Sequence, residues 1–420
     1  MQLTDRDRAM LDGERGPAAQ LAMSIVVRMA GVYGADSLMD ISQAHIDSTI
    51  YLGDATLEFA ERLAALGARV AVPTSLNVSG VDECGWKEWA VPPEWAAKAA
   101  RQMLAYESMG AVPTWTCAPY QTQMRPNFGQ QIAWGESNAI AFANSVIGAR
   151  TERYPDLLDI CCAITGRVPA SGLHLDANRT GQILLRLVDA PIALQRDDQF
   201  FAVLGHLVGK LAEDRIPVID GIDVQPTEDH LKAFCAAAAS SGRVSLCHLV
   251  GITPEAATVE AAFRGVVPQQ VRDITRVDLL AARRELTTAD GQLLDMVILG
   301  SPHFSVAEFA RLAPLVEGRH RHPGVRFLIT SGRMMKEAAE KAGVLAPILQ
   351  FGAQITLDTC ILASPMLPSD IRTLMTNSAK YAYYAPSLLK TRVTFGSLAD
   401  CVRSAVEGRV VRDESLWSAE

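Results

Sequence analysis

Short apolar runs along this chain repeatedly end at small polar or metal-ligating residues. The clearest case is Ile355-Thr-Leu357, which is followed at once by Asp358-Thr-Cys360 and, after a Pro-containing segment, by Met375-Thr-Asn-Ser-Ala-Lys380. Open α/β folds place their chemistry at the carboxyl ends of parallel strands. A free Cys is, however, among the most commonly buried residues, so this stretch alone does not define a site.

The same pattern occurs at several places, which changes the interpretation of each one. One polar strand end is common by chance, whereas five that converge are what a ligand pocket between α/β domains requires. The five predicted strand ends lie at residues 116–117, 165–167, 301–303, 330–333 and 358–360.

The alternation of strand and helix patterns predicts an α/β, multi-domain architecture with largely parallel sheets and an active site at strand carboxyl ends between domains. Residues 157–164 are predicted to form one apolar strand. Ser137 or Asn138 is predicted to cap the helix that begins after Gly135. The predicted units are 1–130, 131–285 and 286–410, followed by a polar tail at 412–420. Predicted helix caps are Thr4, Thr227, Ser305 and Ser397.

Composition and charge exclude several partners. The net charge is −8 and no basic run is interleaved with aromatic residues, so nucleic-acid binding is not expected. No apolar run reaches the roughly 18 residues of a membrane span. The charged start does not resemble a secretory signal, and the eight Cys include no CxxC pair, so reduced thiols in a cytoplasm are expected.

Several common catalytic motifs are missing. The chain has no GxGxxG that opens a helix, no GxxxxGK[ST], no GxSxG and no HExxH, which argues against nucleotide-dependent, serine-hydrolase and zincin chemistry. A metal or Fe–S site built from dispersed thiolates remains as a source of electrophilic power. Arginines suited to bidentate binding of a carboxylate or phosphate, or alternatively to surface salt bridges, are Arg150, Arg167, Arg179 and Arg333.

Ten short motifs follow one another along the chain. They are HIDS (45–48), VPTSLNV (72–78), TCAPY (116–120), GESNA (135–139), NSVIGART (144–151), HLVGITPEA (248–256), GSPHFS (300–305), TSGR (330–333), DTC (358–360) and TNSAKYAYY (376–384). Together they resemble the large, catalytic part of aconitase X, a branch of the aconitase superfamily. The resemblance runs from about Leu11 to Gly408.

This resemblance implies an Fe–S dehydratase. Members act on cis-3-hydroxy-L-proline in bacteria and on mevalonate 5-phosphate in archaea, and the first is favoured here. The family also uses a smaller swivelling domain, fused in some members and a separate subunit in others; a separate small subunit is implied for this chain. An alternative of another class is a non-catalytic, cluster-free binding subunit.

The resemblance also implies three cluster ligands. Cys117 and Cys360 match two of them, and the third position, a Cys in the family motif, is Ser301. Three alternatives follow: Ser301 supplies an oxygen ligand, another Cys such as Cys84 substitutes, or the cluster is smaller or absent. A [2Fe–2S] or larger cluster is therefore expected, with its nuclearity open.

The remaining site residues follow from the same motifs. The general base could lie on the small subunit, in which case this chain does not contain it. Expected catalytic residues, which bind the hydroxyl or relay protons, are His45, Asp47, Ser48 and Lys380. Expected substrate-binding residues are Thr74, Asn77, Ser137, Asn138, Arg150, Arg179, His248 and Ser378. Because His248 lies in an apolar predicted strand, the alternative for it is a core histidine whose ring is hydrogen-bonded internally.

Overall fold

Strands and helices alternate along most of the chain in the computed structural model, which describes residues 1–89 and 91–418. The strands are β1 Leu38–Asp40, β2 Ala44–Ile46, β3 Thr74–Leu76, β4 Ala133–Trp134, β5 Arg167–Pro169, β6 Ile183–Leu187, β7 Pro217–Asp220, β8 His248–Leu249, β9 Val271–Ile274, β10 Met296–Leu299, β11 Arg326–Ser331, β12 Gln354–Leu357, β13 Thr373–Thr376 and β14 Arg392–Phe395.

The helices surround these strands. They are α1 Asp5–Leu11, α2 Pro17–Val32, α3 Asp54–Ala65, α4 Pro93–Ser108, α5 Ser137–Phe142, α6 Leu158–Thr165, α7 Ile192–Gln195, α8 Phe200–Ala212, α9 Glu228–Ser241, α10 Val259–Ala262, α11 Arg276–Glu285, α12 Val306–Val316, α13 Arg333–Lys341, α14 Leu345–Phe351, α15 Ala379–Leu388 and α16 Leu398–Glu407. Among the described residues, no helix is long and apolar enough to cross a membrane.

Three parallel sheets organise the chain. Their strand orders are β3-β2-β4, β8-β7-β6-β9 and β12-β11-β10-β13-β14, and every neighbouring pair in them is parallel. A small antiparallel pair, β1-β5, completes the set. The prediction of an α/β architecture with largely parallel sheets is confirmed.

The five-stranded sheet is buried on both faces. Along β10, Val297 and Leu299 pack into a core with helices α12, α14 and α16, whereas Met296 and Ile298 face the main core of the molecule. This alternation follows from the two-residue period of a strand. A parallel sheet covered on both faces is the normal arrangement for α/β proteins, and here one face joins the sheet to the rest of the chain.

Four of the predicted helix caps are confirmed. Thr4, Thr227, Ser305 and Ser397 each accept a hydrogen bond from the backbone N–H three residues later, in capping boxes. The predicted cap at Ser137 or Asn138 was wrong, because the Glu136 side chain caps α5 by accepting from the Ala139 N–H.

Two predicted strands are not strands. Residues 158–165 form α6, which is buried throughout its length. An apolar run of eight residues fits a buried helix as well as a buried strand, and periodicity cannot separate them. Thr165 therefore ends a helix, and Arg167 begins β5. Before Cys117, Val112 forms a single bridge to Ser75 in place of a strand.

The first predicted border between units divides a sheet, whereas the second lies at the end of a helix. Strand β4 comes after residue 130 yet pairs with β2, so the border between 1–130 and 131–285 crosses one sheet. Helix α11 ends at Glu285, next to the second predicted border.

The segment predicted as a polar tail packs on the molecule over residues 412–418. Trp417 is 3% exposed, its Nε1 donates to Asp197 Oδ1 at 3.1 Å, and the Arg283 guanidinium lies over its ring. Residues 419 and 420 of that tail lie outside the described part of the chain.

Candidate active site at the meeting strand ends

Three polar residues follow the strands of the first sheet. Asp47 comes after β2, Asn77 after β3 and Glu136 after β4, in each case one or two residues beyond the last strand residue. Because these strands are parallel, their carboxyl ends lie at one edge of the sheet. The Asn77 amide donates a hydrogen bond to Asp47 Oδ1 at this edge.

The five-stranded sheet supplies a second set of strand-end residues. Ser301 and His303 follow β10, Cys360 follows β12, and Ser378 and Lys380 follow β13. Ser378 caps α15 and its hydroxyl donates to the Ser301 carbonyl oxygen, which joins two of these ends.

The two sets of strand ends meet. Lys380 Nζ donates to Glu136 Oε1 at 2.6 Å, with both side chains largely buried. The His303 backbone N–H donates to Cys117 Sγ at 3.2 Å. Ser79 N–H donates to the Asp358 carbonyl at 2.7 Å, two residues before Cys360. The carboxyl-end edge of the β3-β2-β4 sheet therefore faces the carboxyl-end edge of the five-stranded sheet.

The pKa values of the Cys117 and Cys360 thiols depend on the contact between the two sheets. Burial raises the pKa of Cys117 to about 12, with a further contribution from the Glu136 carboxylate, while the Lys380 ammonium lowers it. Burial likewise raises the pKa of Cys360, and Lys380 again acts in the opposite direction. The two thiols and the ammonium thus lie in one group, in which a cation favours the thiolate form.

Two carboxyl groups at the carboxyl end of β2 are shifted towards the protonated form. Burial is the main cause that raises the pKa of Asp159 to about 6. Burial, followed by the Glu136 charge, raises the pKa of Asp47 well above its usual value. Asp159 Oδ2 accepts from the backbone N–H groups of Asp47 at 2.6 Å and Ser48 at 3.0 Å, so it fixes the turn after β2. Burial and the neighbouring carboxylates therefore favour the protonated form of Asp47.

The other predicted residues of the first sheet have internal partners. Burial lowers the pKa of His45 to about 3, so its ring is neutral, and Nδ1 hydrogen-bonds with Ser75 Oγ at 2.8 Å. The Ser48 hydroxyl donates to Asp159 Oδ1 at 2.8 Å. The Thr74 hydroxyl donates to the Val72 carbonyl at 2.8 Å.

Asn138 supports the segment that carries Cys117. Its Nδ2 donates to the Cys117 carbonyl at 3.0 Å, and its Oδ1 accepts from the Tyr120 hydroxyl at 2.8 Å. Ser137, the neighbouring residue, is half-buried, with its hydroxyl 3.5 Å from Glu136 Oε1. Asn138 therefore holds the backbone around Cys117 in place.

Arg150, Arg179 and His248 occupy a different network. Arg179 is fully buried and forms a bidentate pair with Glu255, including Nη2 to Oε2 at 2.5 Å. Arg150 Nη2 contacts the same carboxylate at 3.0 Å. His248 Nε2 hydrogen-bonds with the Arg179 carbonyl at 2.8 Å. Substrate binding by these three residues stays a prediction. The observed contacts are internal ion pairs and hydrogen bonds, which connect residues 150 and 179 to the segment after β8.

Sequence reasoning missed four residues of the strand-end group: Glu136, Asp159, His303 and Tyr381. Glu136 is preceded by β4, a strand of two residues that is too short to recognise from its pattern. Asp159 lies in the run misassigned as a strand. His303 is buried, with Nε2 bonded to the Thr359 carbonyl at 3.0 Å, and the Tyr381 hydroxyl contacts Thr330 Oγ1 at 3.0 Å. Glu136, His303 and Tyr381 lie inside the motifs GESNA, GSPHFS and TNSAKYAYY, which was the available signal.

The group fits a metal centre in part. Cys117 and Cys360 are two thiols close enough to the same Lys380 ammonium to be affected by its charge, and Ser301 lies two residues before the amide that contacts Cys117 Sγ. Across residues 1–89 and 91–418, no three His, Cys, Asp or Glu side chains are grouped to hold a metal ion. The two thiols therefore lie near one cation, and Ser301 precedes the residue whose amide contacts Cys117.

The fold and the strand-end site define an aconitase-like α/β protein. Models of the aconitase X first, second and third domains match residues 1–177, 181–284 and 294–407. The chain therefore belongs to the aconitase X family.

Solved and curated relatives agree with this. The chain is 31% identical to Thermococcus kodakaraensis aconitase X in its holo-form, with a TM-score of 0.84 over 96% of this chain and all of that chain. It is 49% identical to a Pseudomonas aeruginosa cis-3-hydroxy-L-proline dehydratase, over 99% of this chain and 71% of the relative. It is 35% identical to the Methanothermobacter thermautotrophicus phosphomevalonate dehydratase large subunit, over 94% of this chain and 97% of the relative.

The Arg179–Glu255 pair makes a prediction that separates a structural role from substrate binding. Arg179→Met leaves the Glu255 carboxylate without its main partner in the interior, so we expect a loss of about 3–5 kcal/mol in the free energy of unfolding. Urea denaturation of the purified chain measures this.

Arg186→Met is the matched control, because Arg186 pairs with Asp273 on the surface and its loss is expected to cost about 1 kcal/mol or less. Unchanged stability of Arg179→Met, together with a raised KM, would instead assign Arg179 to the substrate.

Proposed function

We propose that this chain is the large, catalytic part of an Fe–S-dependent dehydratase that converts cis-3-hydroxy-L-proline to Δ1-pyrroline-2-carboxylate. The observation that carries the proposal is the order of identities. The chain is 49% and 44% identical to two cis-3-hydroxy-L-proline dehydratases and 35% identical to a phosphomevalonate dehydratase large subunit.

The charges at the strand ends support an amino-acid substrate over a phosphorylated one. A phosphate group calls for a cluster of available Arg or Lys side chains. Lys380 is paired with Glu136, and Arg333 is paired with both Asp358 and Glu83. These carboxylates reduce the positive charge that a phosphate would meet.

Cys117 and Cys360, with the Ser301 hydroxyl as the third donor, would hold the cluster. When bound, iron acts as a Lewis acid that polarises the substrate hydroxyl. The proposal includes a [2Fe–2S] or larger cluster and an oxygen ligand from Ser301.

The residues of the chain would act around the reacting carbons. Loss of water requires that the proton on C2 is removed and that the C3 hydroxyl leaves after it is protonated. Asp47 is suited to supply that proton, because its pKa is raised by burial and by Glu136. The product of elimination is an enamine, which tautomerises to the cyclic imine. Asn77 orients Asp47, and Lys380 keeps the buried Glu136 paired.

A smaller swivelling domain would complete the enzyme and could supply the base for C2. Two observations support this partner. The chain spans 71% and 69% of the two hydroxyproline dehydratases, and the archaeal relatives are named large subunits.

All eight Cys are free thiols, as a cytoplasm would keep them.

The substrate is tested with the chain co-expressed with its small domain. We expect kcat/KM for cis-3-hydroxy-L-proline to exceed that for mevalonate 5-phosphate by at least about 100-fold, since a site built for one polar substrate leaves buried groups unpaired with the other. The reverse preference would replace the proposed substrate with the phosphorylated one.

The cluster is tested by iron and acid-labile sulfide content after anaerobic purification. We expect both in the wild type and a loss of most iron from Cys117→Ala and from Cys360→Ala. Cys84→Ala is the control, because Cys84 is exposed and lies outside the strand-end group. Iron loss from Cys84→Ala would make Cys84 the third ligand, and a wild type without iron would favour the cluster-free binding subunit.

The charge of Lys380 near the two thiols predicts that iron loading depends on pH. Iron competes with protons for the thiols, and Lys380 lowers the pKa of both Cys117 and Cys360. Lys380→Met removes this effect, so both thiols bind protons more tightly and half-loading moves to higher pH, by about one unit. Reconstitution with iron across a pH series measures it, with Lys336→Met on α13 as control. No shift would remove Lys380 from the cluster environment.

A further inference from the structure

A buried lysine in the middle of the chain joins three groups. Lys232 on α9 is 2% exposed, and its Nζ contacts Asp229 Oδ1 at 2.9 Å, Glu308 Oε2 at 2.5 Å and the His303 carbonyl at 3.3 Å. An ion taken out of water costs several kcal/mol unless it is well paired. Each contact of this ammonium therefore matters to its energy.

The carboxylates extend this network to further segments. Asp229 Oδ2 accepts from the Ser305 hydroxyl at 2.8 Å, and Asp229 Oδ1 accepts from Gln121 Nε2 at 3.1 Å. Glu308 Oε2 also accepts from the Ser305 backbone N–H at 2.8 Å. The network thus links α9, which lies within the second family domain, to segments of the first and third.

Both linked segments carry proposed cluster ligands. Gln121 lies four residues after Cys117, in the short helical turn Pro119–Gln121. Residues 303–305 are separated from Ser301 by Pro302 alone, and the His303 N–H donates to Cys117 Sγ. His303 is consequently held at its carbonyl by Lys232 and at its amide by Cys117.

We propose that Lys232 is a positioning residue that fixes residues 301–305 relative to Cys117 and so sets the geometry of the cluster site. The second family domain contributes none of the proposed ligands, and this network is how it acts on them. The consequence for iron rests on the proposed function, whereas the positioning of residues 301–305 does not.

The choice of a charged residue has a physical reason. The ammonium satisfies three acceptors in three directions at the same time, and a shift of residues 303–308 would break at least one contact while the charge stays buried. An apolar side chain imposes no such penalty, so it permits several positions of the segment. Groups that orient metal ligands in this way typically change metal affinity or activity about 10- to 100-fold when they are removed.

Lys232→Met is the first variant, because it removes the charge and keeps most of the side-chain volume. In the metal-free protein, hydrogen exchange measured by mass spectrometry on a peptide spanning 299–306 is expected to be at least about tenfold faster than in the wild type. In the protein reconstituted with iron and sulfide, iron affinity is expected to fall about 10- to 100-fold, with an altered visible spectrum. Lys210→Met is the control, since Lys210 pairs with Glu285 at the surface.

A second variant separates positioning from stability, and it decides the matter if Lys232→Met does not fold. Asp229→Asn/Lys232→Met/Glu308→Gln carries no unpaired charge in this network, and replacing such buried ionic groups often preserves stability. We expect a near wild-type Tm, but the ammonium that donates to the His303 carbonyl is still missing, so fast exchange and weak iron binding persist.

Wild-type exchange of the 299–306 peptide in both variants would overturn the proposal. A wild-type protein that binds no iron would instead contradict the proposed function, and the exchange comparison in the metal-free protein would still decide the role of Lys232.

Discussion

The candidate site depends on two parallel sheets that meet by their carboxyl ends. Parallel strands end at a common edge, so each sheet concentrates its polar strand-end residues in one place. The Glu136–Lys380 ion pair joins these edges at 2.6 Å, across 244 residues of sequence. Without this contact, the two thiols would lack a cation that favours their ionised form, and Glu136 would lose its buried ion-pair partner.

The second sheet and its helices hold the other two together without supplying proposed ligands. Glu255, in the turn that follows β8, pairs with Arg150 and Arg179, while Lys232 on α9 contacts the segment after β10. Both connections are buried ionic networks. Such networks add little net stability but penalise alternative arrangements, which suits a site assembled from distant segments. The arginines expected at the substrate are found in the first of these networks.

Much of the site was predictable because it follows a local rule. In the sequence, Asp47, Asn77, Cys360, Ser378 and Lys380 each come shortly after an apolar run, and residues that follow parallel strands lie at a common edge of the sheet. Glu136 was missed because its strand has two residues, and Asp159 because the buried helix α6 carries no amphipathic pattern. The capping boxes at Ser305 and Ser397 were predictable for the same reason, since all their groups lie within four residues.

The sequence by itself determined the family, the α/β class and the chemical types of side chain available: two thiols, a hydroxyl in place of a third, an ammonium and several carboxyl groups. Only the tertiary structure decided which of them are partners. Whether an Arg meets a substrate or an internal Glu depends on long-range packing, because the energy of a buried charge is set by neighbours far away in sequence. Burial shifts the pKa of Asp47 upwards and that of His45 downwards for the same reason.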